Sequence, residues 1–397
     1  MAATVGEIQV ERVLAAQGGR AEFVARAKQS GDVLTFTIDL DSENKIRGVR
    51  VDAERGGGPG GKREPAEPPK ASDAELAAAA QEWLSGLAGK DEFSGVVLIA
   101  RKGVPFFQQA YGLADREKKI PNSMGTRFNV GSIGKAFTSA VIARLIREGR
   151  LAETDTIRKV LPDSKIPSAD RITVRQLLDM TSGMGDIFGP EFAANPHRLR
   201  ELSDYLTLFE TKPLAFEPGK GREYSNAGYI VLGLMVEKLT GRKYREVVTD
   251  WVFAPAGMTV SGLFAIDDST PRRAVGYTRQ SETRSHAEAQ AVKTAAERMP
   301  PRQPNTDMSP GRGSSAGGSY STAGDLLKFA AALQKGTLSL ATNNGAGGNL
   351  GIAGGAPGCN AVLEADTERG FVIVVLVNDD PPVAERTGRR LREWCAR

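Results

Sequence analysis

The apolar run at residues 136–146 constrains this chain more than any other feature. Apart from Thr138, Ser139 and Arg144 the run is hydrophobic, and a helix that is apolar on nearly every side belongs in the centre of a domain. Gly149 then supplies the residue that commonly ends a helix. The run therefore predicts a buried central helix around which the rest of the domain must pack.

Two chemically capable residues stand directly before this run. Ser132 and Lys135 are three positions apart, so on a helix they would share one face. The free N–H groups and partial positive charge of a helix N-terminus, together with burial, disfavour the ammonium form of a lysine. A neutral lysine beside a serine can activate the hydroxyl as a nucleophile. The tetrapeptide alone favours a simpler interpretation, an N-cap serine followed by a first-turn lysine.

Composition limits the classes of function that need to be considered. The chain has 397 residues and a net charge of +4 from nearly balanced totals, which gives no reason to expect a nucleic-acid partner. Its longest apolar run is too short to span a bilayer. Residues 1–16 carry Glu7, Glu11 and Arg12 where a secretory signal needs an apolar core. We therefore expect either a cytoplasmic protein or a periplasmic or secreted one whose leader was removed.

The cysteines and histidines do not indicate a metal site. Cys359, Cys395, His197 and His286 have spacings that fit no dedicated Cys/His site, and we expect no cofactor. A disulfide between the two cysteines could form, although nothing in the sequence signals it. Both histidines fall in polar segments, which predicts surface positions for them.

The sequence divides into three parts. Residues 1–54 form a small unit, residues 55–71 form a Gly/Pro-rich linker, and residues 72–397 form the main domain. Within the first part, the apolar residues Leu34, Phe36, Ile38 and Leu40 alternate with polar residues, a pattern typical of a half-buried strand. A second strand is predicted at residues 46–51 after a loop at 41–45, whereas residues 1–28 fit helix or strand. We expect a small α/β appendage.

The main domain has predicted strands near both of its ends and helices between them. The strands are predicted at 93–101, 104–110, 360–365 and 371–378. Helical stretches are predicted at 72–87, 173–180, 199–209, 226–240, 244–253, 321–333 and 383–396, and residues 280–313 as a surface excursion. This order favours an α+β fold, an α/β sandwich in which an antiparallel sheet built from both ends is flanked by helices, with a mostly helical subdomain inserted.

Two further segments could contribute chemistry. Tyr224-Ser-Asn226 precedes a predicted helix, and a tyrosine hydroxyl that reached Ser132 could act as a general base. Gly351-Ile-Ala-Gly-Gly-Ala-Pro-Gly358 reads as a glycine-rich turn, whose backbone N–H groups could approach a reacting carbonyl oxygen. Each segment alone also fits an ordinary loop.

Taken in order, these pieces resemble the serine β-lactamase and penicillin-binding-protein superfamily, and within it the class C β-lactamases and family VIII carboxylesterases. The resemblance runs from about residue 72 to the C-terminus. Its motifs are Phe128-Asn-Val-Gly-Ser-Ile-Gly-Lys135, Gln176-Leu-Leu-Asp-Met-Thr-Ser-Gly183, Phe216-Glu-Pro-Gly219, Tyr224-Ser-Asn226, Pro255-Ala-Gly-Met258, Gly317-Gly-Ser-Tyr-Ser321 and Gly354-Gly-Ala-Pro-Gly358.

The resemblance implies acyl transfer by a serine hydrolase with an Ser-x-x-Lys motif. Ser132 would attack a carbonyl, Lys135 and Tyr224 would manage protons, and Asn226 would help to hold the substrate. The oxyanion would be bound near Gly354 and Gly355, by the backbone N–H groups of Ser132 and Gly355. A small-molecule ester or β-lactam is the implied substrate, and the oligomeric state stays open.

The sequence departs from the family pattern in its third motif. Where relatives have Lys-Thr-Gly or His-x-Gly, this chain has Ile352-Ala353-Gly354, and residues 342–349 look like a connector where relatives have a strand. Met180 also stands where many relatives have histidine. Loss of the cation favours an esterase over a β-lactamase or D-peptidase. It also leaves open a pseudoenzyme or scaffold that binds without turnover.

A second serine motif is a decoy. Gly313-Ser-Ser-Ala-Gly317 matches the nucleophile elbow of α/β-hydrolases, but that fold needs a histidine after the serine, and none follows residue 286. We therefore expect Ser315 to be structural.

Overall fold

The computed structural model describes residues 8–17, 20–27, 33–40, 46–54, 72–280, 301–342 and 349–396. These residues fall into two compact units, one that holds residues 8–54 and one that holds the residues from Ser72 onward. The predicted linker and most of the predicted surface excursion lie outside the described residues. The three-part division of the chain therefore stays a prediction.

The first unit is a four-stranded antiparallel sheet in sequence order. Its strands are β1 (Ile8–Gln17), β2 (Arg20–Ala27), β3 (Val33–Leu40) and β4 (Ile46–Glu54). The predicted pair of strands at β3 and β4 is confirmed, whereas the loop predicted between them at 41–45 lies outside the described residues. The expected α/β character is wrong for the described part of this unit, because every segment of it is a strand.

We expect the first unit to be dispensable for chemistry, because a Gly/Pro-rich segment separates it from the main domain in the sequence. A protein that starts near Ala71 should fold and keep the parent's ester turnover. Thermal denaturation and a p-nitrophenyl butyrate assay on both lengths check this. A shortened protein that is insoluble or inactive would show that the unit is needed by the main domain.

The second unit is built on a five-stranded antiparallel sheet drawn from both ends of the domain. The strands are β5 (Gly95–Arg101), β6 (Val104–Tyr111), β7 (Leu350–Ala356), β8 (Cys359–Asp366) and β9 (Phe371–Val377). Their spatial order is β7-β8-β9-β5-β6. The central pairing of β9 with β5 joins the two ends of the domain, as the sequence predicted.

Helices cover both faces of this sheet. They are α1 (Asp73–Gly89), α2 (Gly134–Arg147), α3 (Asn226–Thr240), α4 (Ala323–Gln334) and α5 (Val383–Cys395). Along β5, Val97 and Ile99 pack in the core with α1 and α5, while Val96 and Leu98 pack in the core that contains α2, α3 and α4. Because neighbouring residues of a strand face opposite sides, burial on both faces requires the unbroken apolar runs seen in β5 and β9.

The central helix predicted from the apolar run is α2. Phe137 is fully buried and packs edge to face against Phe253 and Phe329, with ring centroids 5.1 and 4.9 Å apart. Gly149 has a φ of +68°, a conformation that glycine adopts without steric cost. Ser132 itself lies just before α2, in a 3₁₀ turn at Gly131–Ile133.

The other predicted helices are present with small changes. The capping box at Ser72 is confirmed, since its hydroxyl accepts from the Glu75 N–H at 3.3 Å and the Glu75 carboxylate accepts from the Ser72 N–H at 2.7 Å. Within the segment 199–209 that was predicted as helical, Leu202–Leu208 forms a 3₁₀ helix rather than an α-helix. The short α-helices are Ile157–Val160, Val174–Leu178, Pro190–Ala194, Tyr244–Val248 and Ala254–Ala256. Besides Leu202–Leu208, 3₁₀ helices form at Pro196–Arg198 and Thr306–Met308, and a π-helix forms at Thr249–Phe253. The short strands are Leu113–Asp115, Ile120–Pro121, Phe128–Asn129, Tyr277–Thr278, Gln303–Pro304 and Tyr320–Ser321.

Two negative observations apply to the described part of the chain. Among its helices none is long and apolar enough to cross a membrane. Cys359 and Cys395 are both buried and free, so the disulfide that could have joined them is not formed.

Candidate active site

The serine predicted as nucleophile sits on a tightly held turn. Gly131, immediately before it, has a φ of +50°, which suits glycine, and its N–H donates to the Asn129 side-chain oxygen at 2.9 Å. The N–H of Val130 donates to the Ser319 carbonyl at 2.9 Å. The turn is thereby fixed on the neighbouring backbone before α2 begins, which orients the Ser132 side chain.

The structure brings together Ser132, Lys135 and Tyr224. The Ser132 Oγ lies 2.6 Å from the Tyr224 Oη and 3.2 Å from the Lys135 Nζ. Tyr224 stands in the loop before α3, and Ser225 fixes that loop by capping α3 and donating to the Gly185 carbonyl at 2.9 Å. The Tyr224 side chain is 46% exposed, so a small molecule can reach this corner of the site.

Lys135 is buried, and its amine has three oxygen neighbours. Besides the Ser132 Oγ, they are the Asn226 Oδ1 at 2.6 Å and the Ala316 carbonyl oxygen at 2.5 Å. Carbonyl oxygens can only accept, so two N–H bonds are committed to them. The remaining position on nitrogen faces Ser132, as an N–H in the ammonium form and as a lone pair in the neutral amine.

Burial lowers the pKa of Lys135 to about 7, because the charged form loses its hydration, while the negative charge of Asp186 works in the opposite direction. A large part of the population is then the neutral amine at neutral pH. Burial raises the pKa of Tyr224, and the hydrogen bond with Ser132 opposes that shift. The phenol is therefore protonated at neutral pH.

Asn226 is the first residue of α3 and touches two charged groups. Its Oδ1 accepts from Lys135, and its Nδ2 donates to the Asp186 Oδ1 at 2.8 Å. Sequence reasoning missed Asp186. It lies three residues after the motif that ends at Gly183, but no spacing rule connects it with an asparagine that lies 40 positions later.

The predicted glycine-rich turn at 351–358 is in fact mostly a strand. Residues Leu350–Ala356 form the edge strand β7, and the turn is confined to Pro357 and Gly358. This strand is stabilised by backbone pairing with β8 along its whole length. The sequence did not predict it because glycine and alanine have a low preference for strands. Of the predicted replacement connector, residues 343–348 lie outside the described residues.

This edge strand runs against the turn that carries the serine. A methyl group added at Gly354 would lie 2.1 Å from the Val130 carbonyl oxygen and 2.8 Å from the Ser132 nitrogen, and one added at Gly131 would lie 2.9 Å from the Gly355 nitrogen. The Gly354 carbonyl accepts from the Asn360 Nδ2 at 3.2 Å. The N–H of Gly355 belongs to the same trans peptide and points the other way. The backbone nitrogens of Ser132 and Gly355 therefore lie in adjoining segments.

The altered third motif lies on the same strand. Ile352 shares a face of β7 with Gly354, is partly buried, and packs against the main core. Neither Ile352 nor Ala353 has a side chain that can bind a carboxylate.

The serine and the histidines that the sequence analysis excluded from catalysis are not among the described residues found around Ser132. Ser315 is fully buried at 0% exposure, and its carbonyl accepts from the Thr138 hydroxyl at 2.6 Å, as expected for a structural residue. The His197 Nε2 lies 2.9 Å from the Thr306 carbonyl oxygen. His286 lies outside the described residues.

Comparison with known proteins identifies the family of the main domain. The sequence model of the Beta-lactamase family matches residues 80–396. Protein flp of Staphylococcus aureus (strain N315) is 32% identical over 191 residues, which cover 47% of this chain and 38% of flp. The chain therefore matches well under half the length of this relative.

Two solved structures have the same fold. A penicillin-binding protein from Bacillus halodurans superposes with a TM-score of 0.66 at 27% identity, covering 78% of this chain and 98% of that protein. EstCE1, described as a hydrolase with promiscuous acyltransferase activity, superposes with a TM-score of 0.63 at 22% identity, covering 81% and 99%. With a family match over residues 80–396, this chain belongs to the β-lactamase family, within the serine hydrolase superfamily of β-lactamases and penicillin-binding proteins.

Proposed function

We propose that this protein is an esterase that cleaves small neutral acyl esters through an acyl-enzyme on Ser132. The observation that carries the proposal is the contact of one serine hydroxyl with both a tyrosine hydroxyl at 2.6 Å and a buried lysine amine at 3.2 Å. A weak nucleophile, a base within reach and a second proton carrier are what covalent acyl transfer requires.

Lys135 is the better general base of the two proton carriers. Its lowered pKa gives a neutral amine near pH 7, with the lone pair directed at Ser132, whereas burial keeps Tyr224 protonated. In acylation the Ser132 oxygen forms a bond to the ester carbonyl carbon as its proton passes to Lys135. The ester C–O bond then breaks, and the leaving alkoxide takes a proton through the Tyr224 hydroxyl.

The tetrahedral intermediate needs donors for its negative oxygen. We assign this role to the backbone N–H groups of Ser132 and Gly355, with Gly354 permitting the close approach of the two backbones. Water then attacks the acyl carbon as its proton passes to Lys135. The bond from that carbon to the Ser132 oxygen breaks, and the oxygen takes the proton from Lys135 to restore the hydroxyl. Asn226 is assigned to hold Lys135 and the substrate.

The preference for neutral esters rests on the altered third motif. Recognition of a substrate carboxylate needs a cation or a hydrogen-bond donor, and Ile352 and Ala353 provide neither in their side chains. A β-lactamase or D-peptidase activity is the alternative that shares the same catalytic residues, and a scaffold without turnover is the third.

The deciding experiment compares p-nitrophenyl acetate and butyrate with nitrocefin, using Ser132→Ala as the control. We expect Ser132-dependent ester hydrolysis and little or no nitrocefin hydrolysis. Ile352→Lys should raise β-lactam acylation more than ester hydrolysis, because residue 352 shares a strand face with Gly354. Faster nitrocefin than ester hydrolysis by the parent would favour the β-lactamase reading, and no Ser132-dependent rate would favour the scaffold.

The two proton carriers should be separable by pH and leaving group. Because the neutral amine is the base, kcat/KM should rise with pH through a midpoint near the Lys135 pKa of about 7. Lys135→Ala should remove most turnover together with this rise. Tyr224→Phe should keep the rise and lose far more rate on methyl butyrate than on p-nitrophenyl butyrate, because nitrophenolate leaves without a proton.

Initial rates between pH 5 and pH 9 on both esters test this assignment. Thermal midpoints near the parent's would show that the variants are folded. If Lys135→Ala retained the parent's rate, or if Tyr224→Phe lost the same fraction of the rate on both esters, the assigned roles would be wrong.

A further inference from the structure

The side chain of Asp186 lies behind the site and reaches it through one intermediary. Its Oδ1 accepts from the Asn226 Nδ2 at 2.8 Å and from the Ile187 N–H at 2.7 Å. Asn226 in turn accepts from Lys135 at 2.6 Å. A carboxylate, an amide and an amine thus form one hydrogen-bonded row that ends at the Ser132 hydroxyl.

This row fixes which way the Asn226 amide faces. An ionised carboxylate can only accept, so the amide nitrogen must face Asp186 and the amide oxygen must face Lys135. The reverse orientation would place an N–H against the amine and would compete for the lone pair that the base needs. Ser225, which caps α3 and donates to the Gly185 carbonyl, holds the two segments of the row in register.

We propose that Asp186 is a positioning residue: its carboxylate fixes the orientation of the Asn226 amide, which holds the Lys135 amine, and it supplies a negative charge behind that amine. The proposal deepens the esterase function and rests on it for the catalytic consequence. Asp186 does not touch the reacting atoms, and it acts on them only through Asn226 and Lys135.

The groups around Lys135 show why the charge of Asp186 matters for the protonation of the amine. Among the described residues, the titratable groups that act on or face the amine are Asp186, Tyr224 and Tyr229. The ring centroids of Tyr224 and Tyr229 lie 4.8 and 5.5 Å from the Lys135 Nζ. Burial raises the pKa of both phenols, so both are neutral near pH 7. Asp186 is therefore the group whose negative charge offsets the loss of hydration at Lys135.

Asp186→Asn keeps the shape of the side chain and removes the charge. It should lower the titration midpoint of Lys135 by about one pH unit, since removing a unit negative charge that acts on a buried amine across one intervening side chain has an effect of that order. The acid limb of kcat/KM should move to lower pH with it. At pH 8, where Lys135 is neutral in both proteins, the rate should fall roughly tenfold because the base is weaker and less well oriented.

Two variants serve as controls. Asp186→Glu keeps the charge and should recover most of the shift. Asp179→Asn removes the same charge from the same region of the chain, where Asp179 pairs with Arg175 at 3.4 Å instead of facing Asn226, and it should leave the midpoint unchanged.

The midpoint is measured without any activity by NMR of protein labelled with ¹³Cε-lysine, with Lys135→Met identifying the signal. A lower midpoint in Asp186→Asn, restored in Asp186→Glu and absent in Asp179→Asn, is the expected result. An unchanged midpoint in Asp186→Asn would overturn the proposal whatever the rates are. A shifted midpoint in a protein with no Ser132-dependent ester turnover would overturn the esterase function and leave the Asp186 assignment standing.

Discussion

Ser132→Ala is expected to lower ester turnover by at least about a thousandfold, because the acyl-enzyme cannot form without the hydroxyl. The parent should also take up one equivalent of a fluorophosphonate, and the adduct should map to the peptide that contains Ser132. Both results follow from the contacts of this hydroxyl with Tyr224 and Lys135, which no other serine in the described residues makes.

Ser315→Ala is the matched control for this experiment. Ser315 lies in the decoy motif, is fully buried, and its hydroxyl has no hydrogen-bond partner within the described segments. Removing that hydroxyl should leave the rate and the adduct unchanged. An adduct on Ser315 in the parent, or an Ser132→Ala protein that keeps the parent's rate, would contradict the assigned nucleophile.

Local features of the site could be predicted from the sequence, and features that depend on distant pairing could not. Ser132 and Lys135 are three positions apart, so their spacing predicted that they could share one helix face and meet. The meeting of Tyr224 with Ser132 was expected from the resemblance, across a gap of 92 positions. Asp186 has no such signal, because its contact with Asn226 exists only after the Gly185 backbone and Ser225 have been brought together.

The two errors in the fold have similar causes. Strand β7 is built of glycine and alanine at several positions, and its structure comes from pairing with β8 rather than from its own preference. In the first unit, β1 has irregular register between Val10 and Arg12 and between Val13 and Ala15. Each irregularity interrupts the alternation of period two, which is the pattern that would have distinguished a strand from a helix.

Among substitutions that add a single methyl group to the third motif, Gly354→Ala should lower the catalytic rate most. The new carbon would lie 2.1 Å from the Val130 carbonyl oxygen and 2.8 Å from the Ser132 nitrogen, far inside van der Waals contact. Neither backbone can yield easily. Val130 is hydrogen-bonded to the Ser319 carbonyl, and Gly354 is paired with Ala361 in the sheet.

The expected consequence is that β7 and the serine turn separate and that the proposed oxyanion donors no longer converge. Loss of one such donor costs on the order of 10²–10³ in kcat, and we expect a loss of that size in kcat/KM for p-nitrophenyl butyrate. Gly351→Ala is the matched control, because it adds the same group to the same strand at a position where the new carbon would meet no atom of the described residues within 4 Å. That variant should stay within about twofold of the parent, as expected for an exposed substitution.

Thermal midpoints and fluorophosphonate titration of both variants separate misalignment from unfolding. A Gly354→Ala protein that is folded, slow to turn over and slow to be labelled would support the proposed oxyanion site, since the phosphoryl oxygen needs the same donors as the ester oxygen. Parent-like rates in a folded Gly354→Ala protein would mean that the approach of β7 to Ser132 does not matter for the reaction. The donors for the negative oxygen would then have to be sought elsewhere around Ser132.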